Sequence, residues 1–383
     1  MKISHILGLQ KTWIALFCAG IFFIAGVQAQ EKPSSDEENI SSLEKHEEEN
    51  DFNINELISH HIGDSHEFTF WGGDKMGKTK WVGLYLPVIL YTDGGLQFFS
   101  SKAFQHDEAG KVLVEKKGQK FVRYEGKIYY ANASLGNEGA YVTLNSAQEV
   151  TNARPLDFSI TKNVVSLFVS IILLLWLFFA VAKGYRKNNG KAPKGVQSVM
   201  EPIMLFVRDE IAIPNLGHKY ERFMPYLLTV FFFIWMNNML GLFPFFPGST
   251  NVTGNIAITG VLAVFTLLIT VFNGNKYYWG HIFNPPVPWW IKPIIIPVEI
   301  IGIFTKPFAL AIRLFANITA GHILVLSLLS LPFIFATNAV APGSVLFMLF
   351  IGLIKFLVAF IQAFIFTILS AVFIGMAVEA QYD

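Results

Sequence analysis

The feature that most constrains this 383-residue chain is one charge set among hydrocarbon side chains. In the run Pro307 to His322, P-F-A-L-A-I-R-L-F-A-N-I-T-A-G-H, the charge is carried by Arg313. A guanidinium keeps its proton at every accessible pH. Apolar residues dominate from about Ile294 to Leu331, so the side chain cannot snorkel out at a nearby helix end. Placing it at mid-membrane costs roughly 3 kcal/mol on insertion scales and roughly 10 or more on an isolated helix in simulations. A partner or a water-filled cavity is therefore required. A structural ion pair with a carboxylate of another helix would supply one. With no acid close by in its own helix, functional use is the better reading.

The same helix carries a polar ladder. Glu299, Lys306, Arg313 and Ala320 recur every seven residues, nearly two turns, and Asn317 lies one turn beyond Arg313. Gly302, Ala309, Ala316 and Ala320 lie close to that stripe, where small side chains let another surface approach. His322 falls about half a revolution away from Arg313.

K-P-F-A-L-A-I-R-L-F-A-N-I-T-A-G-H, followed by F-I-Q-A-F-I-F at Phe360 to Phe366, resembles the membrane subunit a of F-type ATP synthases. The resemblance runs from roughly Asp157 to the C-terminus. It implies an all-α polytopic membrane protein whose last two helices are long, strongly tilted and wrapped around a rotating ring of c subunits. Arg313 is then the stator charge that meets a carboxylate of the ring, with Asn317 and Gln362 beside it. His322, Glu299 and Lys355 are candidates for the proton path, to which Asn237 and Asn238 are added below. The implied partners are the c-ring, the subunit b stator, the soluble F1 sector indirectly and the lipid bilayer. No cofactor, metal or nucleic acid is implied.

One departure concerns the proton relay. Many family members place a His or an acid at the position of Lys355, paired with an acid or His at the position of His322. His322 alone titrates near neutrality, whereas Lys355 adds positive potential that lowers the pKa of a neighbouring imidazole. A hydrogen-bonded packing role for His322 stays open. Glu299 matches an acidic family position facing the inner half-channel, or serves as an interfacial carboxylate.

Composition agrees with a membrane location, at 53% hydrophobic and 15% charged residues. Met1 to Ala29 has Lys2 and Lys11 ahead of an apolar core, Trp13 to Gly26, then Val27-Gln28-Ala29; it reads as a cleaved signal peptide or an uncleaved first span. The only cysteine, Cys18, lies in it. Residues 30–66 form an acidic, flexible leader. His60, His61 and His66 could bind metal only with ligands that show no regular spacing, so a solvated loop is preferred.

Residues 67–155 read as a small β-rich extramembrane, periplasmic module. The strands are Leu84 to Tyr91, Leu96 to Phe99, Lys120 to Tyr124 and Lys127 to Ala131, with turns at Asp93-Gly94-Gly95 and Glu125-Gly126. The resembled family does not generally carry it; docking or stabilisation suits it better than catalysis.

Residues 156–383 form the membrane domain, with five membrane helices and one surface helix. Val164 to Ala182 is the first span. The basic residues Lys183, Arg186, Lys187, Lys191 and Lys194 after it mark the cytoplasmic side, so the N-terminus is periplasmic, the C-terminus cytoplasmic and the membrane a bacterial inner membrane. Val196 to Ile213 is amphipathic, with apolar positions 196, 199, 200, 203, 207 and 211, and too polar to span; it lies on the cytoplasmic surface or serves as a soluble linker. Arg222 to Leu242 and Gly254 to Phe272 are spans. Asn237, Asn238, Asn251, Thr253 and Asn255 gather near their junction, suited equally to an aqueous entrance and to turn and cap chemistry. The loop Asn273 to Lys292 carries interfacial aromatics. Pro297 to Ser330 and Ser344 to Val378 are each about 34 residues, roughly 50 Å of helix against a hydrocarbon core of about 30 Å. Straight and confined to that core, they would tilt roughly 50°.

Two other classes compete. An ion-coupled secondary transporter also hides charges in the membrane, but typically shows repeated halves, and none is visible here. A membrane-anchored binding module would leave the spans bland, which Arg313 and Gln362 do not. ATP chemistry is expected to belong to another chain; G-G-D-K-M-G-K-T, Gly72 to Thr79, fits the G-x-x-x-x-G-K-[ST] spacing, but in a stretch read as β-rich rather than as the strand-to-helix turn that this motif needs.

Overall fold

A computed structural model describes residues 63–378 except 72–81, 133, 135–138, 146–148, 189, 243–251, 336 and 338–339. The expected signal segment, the expected leader as far as residue 62 with His60 and His61, and Asn251 lie outside the described residues.

The N-terminal unit is built from short antiparallel ladders. β1 (Glu67–Trp71) pairs with β2 (Val82–Tyr85). A second sheet has the order β4 (Gly95–Ser100), β3 (Pro87–Thr92), β8 (Leu156–Asp157), and a third the order β5 (Val114–Lys116), β6 (Gln119–Tyr124), β7 (Lys127–Tyr130). Both hairpins of the third sheet turn on two residues with positive φ, Lys117-Gly118 at 45° and 77° and Glu125-Gly126 at 47° and 75°. That is the backbone a tight hairpin needs to match strand twist. Val88, Leu90, Phe99, Phe104, Val114, Phe121 and Ile128 close the core beneath them.

Three boundaries differ from the sequence reading. The stretch Leu84 to Tyr91 is two strands in two sheets: Pro87 has no N–H to continue a ladder, and Leu86 N instead donates to Ser101 Oγ at 3.1 Å. β8 pairs with β3 through Leu90 opposite Asp157, so the folded module extends beyond Pro155. His66, counted with the leader on composition, is buried and bonded through Nε2 to Asp157 Oδ2 at 2.9 Å.

The first long helix, α1 (Lys162–Lys187), begins four residues after Phe158. Its start is held by a distant carboxylate. Asp64 accepts from Asn163 N at 3.2 Å and from Thr161 Oγ1 at 2.7 Å. An acid at this end suits the helix dipole and satisfies an N–H that has no intrahelical partner.

Five helical segments among the described residues are long and apolar enough to cross a membrane. The second is composite: α2 (Val196–Phe206) runs through a π-helical turn at Val207–Ala212, one α turn at Ile213–Leu216 and a 3-10 turn at Gly217–Lys219 into α3 (Tyr220–Leu242). Its buried face keeps Val207 and Ile211 of the expected apolar positions, with Met200 and Ile203 partly buried against the same core, and departs from them only at the start. Val196 and Val199 are exposed, while Gln197 is buried with Met204, Val207 and Ile211. Gly184 of α1 leaves room for Gln197, whose Oε1 accepts from Asn188 Nδ2 at 2.9 Å.

α3 is the most enclosed helix, and Phe231, Phe232 and Phe233 are fully buried. Phe232 meets Phe178 of α1 edge-on at 5.2 Å. α4 (Ile256–Asn273) joins it through Tyr226 and Thr266, whose hydroxyls lie 2.7 Å apart. A short helix, α5 (Lys276–Phe283), occupies the stretch expected as a loop. Then come α6 (Lys292–Ile334, 43 residues) and α7 (Ala341–Val378, 38 residues). At 1.5 Å per residue these are about 64 and 57 Å long, against about 30 Å of hydrocarbon. α6 starts before Pro297 because Pro293 falls in its first turn, where no N–H partner is needed.

The C-terminal half of α7 buries Ala359, Ala363, Phe366, Ser370, Ile374 and Ala377 at helical spacing. Its last carbonyls are capped by other segments: Lys219 Nζ donates to Val378 O at 2.6 Å and Asn275 N to Ala377 O at 2.9 Å.

Candidate functional site

Arg313 points out of the protein. It is exposed on α6 together with Lys306, Ala309, Ala316 and Ala320, whereas Pro307, Leu310 and Leu314 on the other side of the helix are buried. Phe308 and Ile312 beside it are exposed as well. Among the described residues no hydrogen bond or ion pair reaches the guanidinium. A permanent charge, a row of small residues and an apolar surround therefore share one open face.

Behind Arg313 lies a polar seam. Asn317, one turn on, donates from Nδ2 to Gln362 Oε1 at 3.2 Å, and Gln362 is buried. One turn of α7 away, the Ala359 carbonyl accepts from Asn238 Nδ2 of α3 at 3.5 Å. Asn238 Oδ1 in turn accepts from Thr253 Oγ1 at 2.8 Å. Asn237 donates back to Phe233 O at 2.8 Å, and its own buried Oδ1 has no partner among the described residues. The same is true of Trp235 Nε1 and Thr319 Oγ1. Buried polar atoms of this kind call for water or another chain.

The amides expected at one membrane turn therefore divide. Asn255 caps α4 by accepting from Ala257 N at 2.9 Å, whereas Asn237 and Asn238 are buried in α3. Thr253 and the Ala359 carbonyl belong to the seam although nothing local in the sequence ties them to Gln362.

Lys355 is half-buried on α7 and crosses α6 at Gly321: a Cβ added there would stand 2.8 Å from Lys355 Cε. His322, the next residue, is also half-buried. Glu299 is not gathered in; it lies fourteen residues before Arg313, about 21 Å along the helix. It is close enough to Tyr278 of α5 that burial first, and then the Glu299 charge, push that phenol above its ordinary pKa. Lys306 sits with Nζ 6.0 Å from the Phe373 ring centroid.

A family model described as ATP synthase A chain matches residues 164–375, which contain every one of these groups. The chain belongs to the ATP synthase A chain family. A second model, described as a domain of unknown function (DUF8433), matches residues 57–158, so the two meet at the link between β8 and α1. The chain is similar to "ATP synthase subunit a" of Chloroherpeton thalassium, 50% identical over 232 residues, 59% of this chain and 68% of that one. It is 49% identical over 228 residues to "ATP synthase subunit a 2" of Chlorobaculum tepidum, covering 58% of this chain and 64% of the relative. With "ATP synthase subunit a" of Myxococcus xanthus the identity is 45% over 230 residues, 58% of this chain and 74% of the relative. The chain thus spans roughly two thirds of the length of these A chain relatives, somewhat less for the Chlorobaculum protein.

Proposed function

We propose that this chain is the stator subunit a of the membrane motor of an F-type ATP synthase, passing protons to and from a ring of small rotor subunits. The observation that carries the reading is Arg313: a permanent charge, exposed on a row of small residues amid apolar side chains, with no partner among the described residues. A rotor carboxylate is neutral in lipid, because a bare buried charge is costly, and ionises when it comes opposite Arg313. The guanidinium cannot release its own proton, so it also interrupts any direct wire between the two half-channels. Protons then cross only by riding the ring, and each supplies about 2.3 kcal/mol per 100 mV.

In this reading Asn317 and Gln362 hold the α6 and α7 backbones in register behind the charge. His322, Lys355 and Glu299 serve the aqueous paths, and Asn237 and Asn238 line one entrance, where orphaned polar atoms would be met by water. The long α6 and α7 tilt to fit the bilayer and embrace the ring. α2 lies along the cytoplasmic surface, subunit b is a stator partner, the F1 sector is coupled through the ring, and the β-rich module faces the periplasm of a bacterial inner membrane.

The test is ATP-driven acidification of inverted vesicles carrying the wild-type chain or Arg313→Ala, with assembly of the complex checked in both. Loss of acidification in an assembled complex supports the stator charge; normal pumping by the variant removes it.

A further inference from the structure

Among the described residues, the β-rich module carries an apolar face that stands exposed. On the sheet β4-β3-β8, Val88, Leu90 and Phe99 turn inward, so their neighbours along the strands turn outward. Tyr91, Leu96, Phe98, Leu156 and Phe158 all stand exposed there, Phe98 at 70% and Leu96 at 58%. They are contiguous: Tyr91 pairs with both Leu96 and Leu156. Phe158 N bonds Ile89 O at 2.8 Å, and Ile89 lies opposite Phe98. A patch of five large apolar side chains on so small a sheet marks an interaction surface.

We infer that this face lies in the interfacial layer of the lipid bilayer, on the side where α1 enters. Phe158 is four residues from Lys162, the first residue of α1, hence within about 14 Å of it even if fully extended. The module is also fastened to that helix start. Lys162 N donates to Ser65 O at 2.9 Å, and Asp64 holds Thr161 and Asn163. The exposed face therefore begins beside the point where the chain passes into the membrane. In sequence the face is followed by α1, on which the apolar side chains Ile172, Trp176 and Phe179 are exposed.

The edge of the sheet favours lipid over another strand. β4 is an edge strand, yet Lys117 Nζ donates to Leu96 O at 3.0 Å and Gln97 Nε2 reaches Gln119 Oε1 at 3.5 Å. The β5–β6 turn thus blunts the edge against strand addition. The same turn places exposed Lys117 at the rim of the apolar face, whereas Lys116 reaches toward the inward side of β4, Nζ 6.0 Å from the Phe99 ring centroid, and Glu115 stands opposite Lys120. Apolar side chains bordered by a lysine match the chemistry of an interface with anionic headgroups.

The full chain, in a Cys18→Ser background, tests this with nitroxides at Phe98→Cys, Leu156→Cys and, on another sheet, Lys127→Cys. Liposomes are made of phosphatidylcholine with or without phosphatidylglycerol. Immersion predicts that the ratio of relaxation by oxygen to relaxation by a water-soluble nickel chelate is at least twofold higher at 98 and 156 than at 127. The ratio should fall when phosphatidylglycerol is omitted or Lys117 is changed to Glu. Equal ratios at all three sites overturn the proposal, because the face then meets water. Shielding from both reagents at 98 and 156 also overturns it, because a protein surface, a second copy included, then covers the face.

Discussion

Asn317 of α6 donates to Gln362 of α7 at 3.2 Å, one helical turn from Arg313. On either side of this bond, Lys306 meets the Phe373 ring and Gly321 meets Lys355, so the numbers rise on one helix as they fall on the other. The two helices are antiparallel here, and this bond fixes their register behind the exposed charge.

Removing one half of the pair leaves a polar atom without its partner. Gln362→Leu or Asn317→Leu alone should each destabilise the chain by about 1–3 kcal/mol, and the double replacement by clearly less than their sum. Thermal unfolding of the four proteins in detergent measures the coupling. Strict additivity would show that the two amides do not act together.

Two glycines on these helices should respond differently to the same methyl group. At Gly375 an added Cβ runs into the backbone carbonyl of Asn215, which cannot swing aside. Gly375→Ala should cost about 1–3 kcal/mol as an overpacked contact. At Gly321 the obstacle is the end of the flexible Lys355 side chain, so Gly321→Ala should cost less than about 1 kcal/mol while displacing the ammonium. Melting temperatures that rank the two variants the other way would contradict this packing.

Asn238 joins α3 to α7 and also accepts from Thr253. Asn238→Leu strands the Thr253 hydroxyl and removes the tie to the Ala359 carbonyl, which keeps its own bond within the helix, and should cost about 1–3 kcal/mol. Asn238→Asp keeps the acceptor for Thr253 and should retain more proton flux than Asn238→Leu in vesicles. Equal flux through both variants would separate Asn238 from the proton path.

What the sequence made legible was whatever repeats at helical spacing. Arg313 and the small residues Ala309, Ala316 and Ala320 form a stripe on one helix that is exposed in the fold, with Asn317 half-buried at its edge. The five apolar segments and the Glu125-Gly126 hairpin follow from equally local patterns. Contacts between distant residues were not legible. Nothing near Gln197 indicates that it is buried against Gly184 while Val196 and Val199 face outward. Nothing near Leu156 shows that it pairs with Tyr91, and nothing near Asp64 shows that it caps a helix about a hundred residues later. Such positions are decided by tertiary packing, which overrides propensity and period.

Acid should act on the β-rich module through two carboxylates of opposite sign. Burial alone would raise Asp157, but the His66 hydrogen bond and charge, with the Ser159 hydroxyl and Ser159 N at 2.8 Å, hold it below its ordinary value of 3.8. A depressed folded pKa contributes stability at pH values above the ordinary one, and that contribution is lost as pH falls from about 4 through the folded value. Asp64 runs the other way. Burial outweighs the hydrogen bonds from Thr161 and Asn163 and raises its pKa, so its ionisation costs stability at neutral pH and the cost vanishes as pH falls. Asp157→Asn should therefore lower stability at pH 7 and flatten its decline below pH 4. Asp64→Asn, whose amide oxygen can still accept from Asn163 N, should leave that decline steeper than in the wild type. Denaturant unfolding of the full chain between pH 7 and pH 3, followed by a fluorophore at Lys127→Cys, reads both slopes. If Asp157→Asn declines with acid as steeply as the wild type, the His66–Asp157 pair is not the source of the module's acid sensitivity.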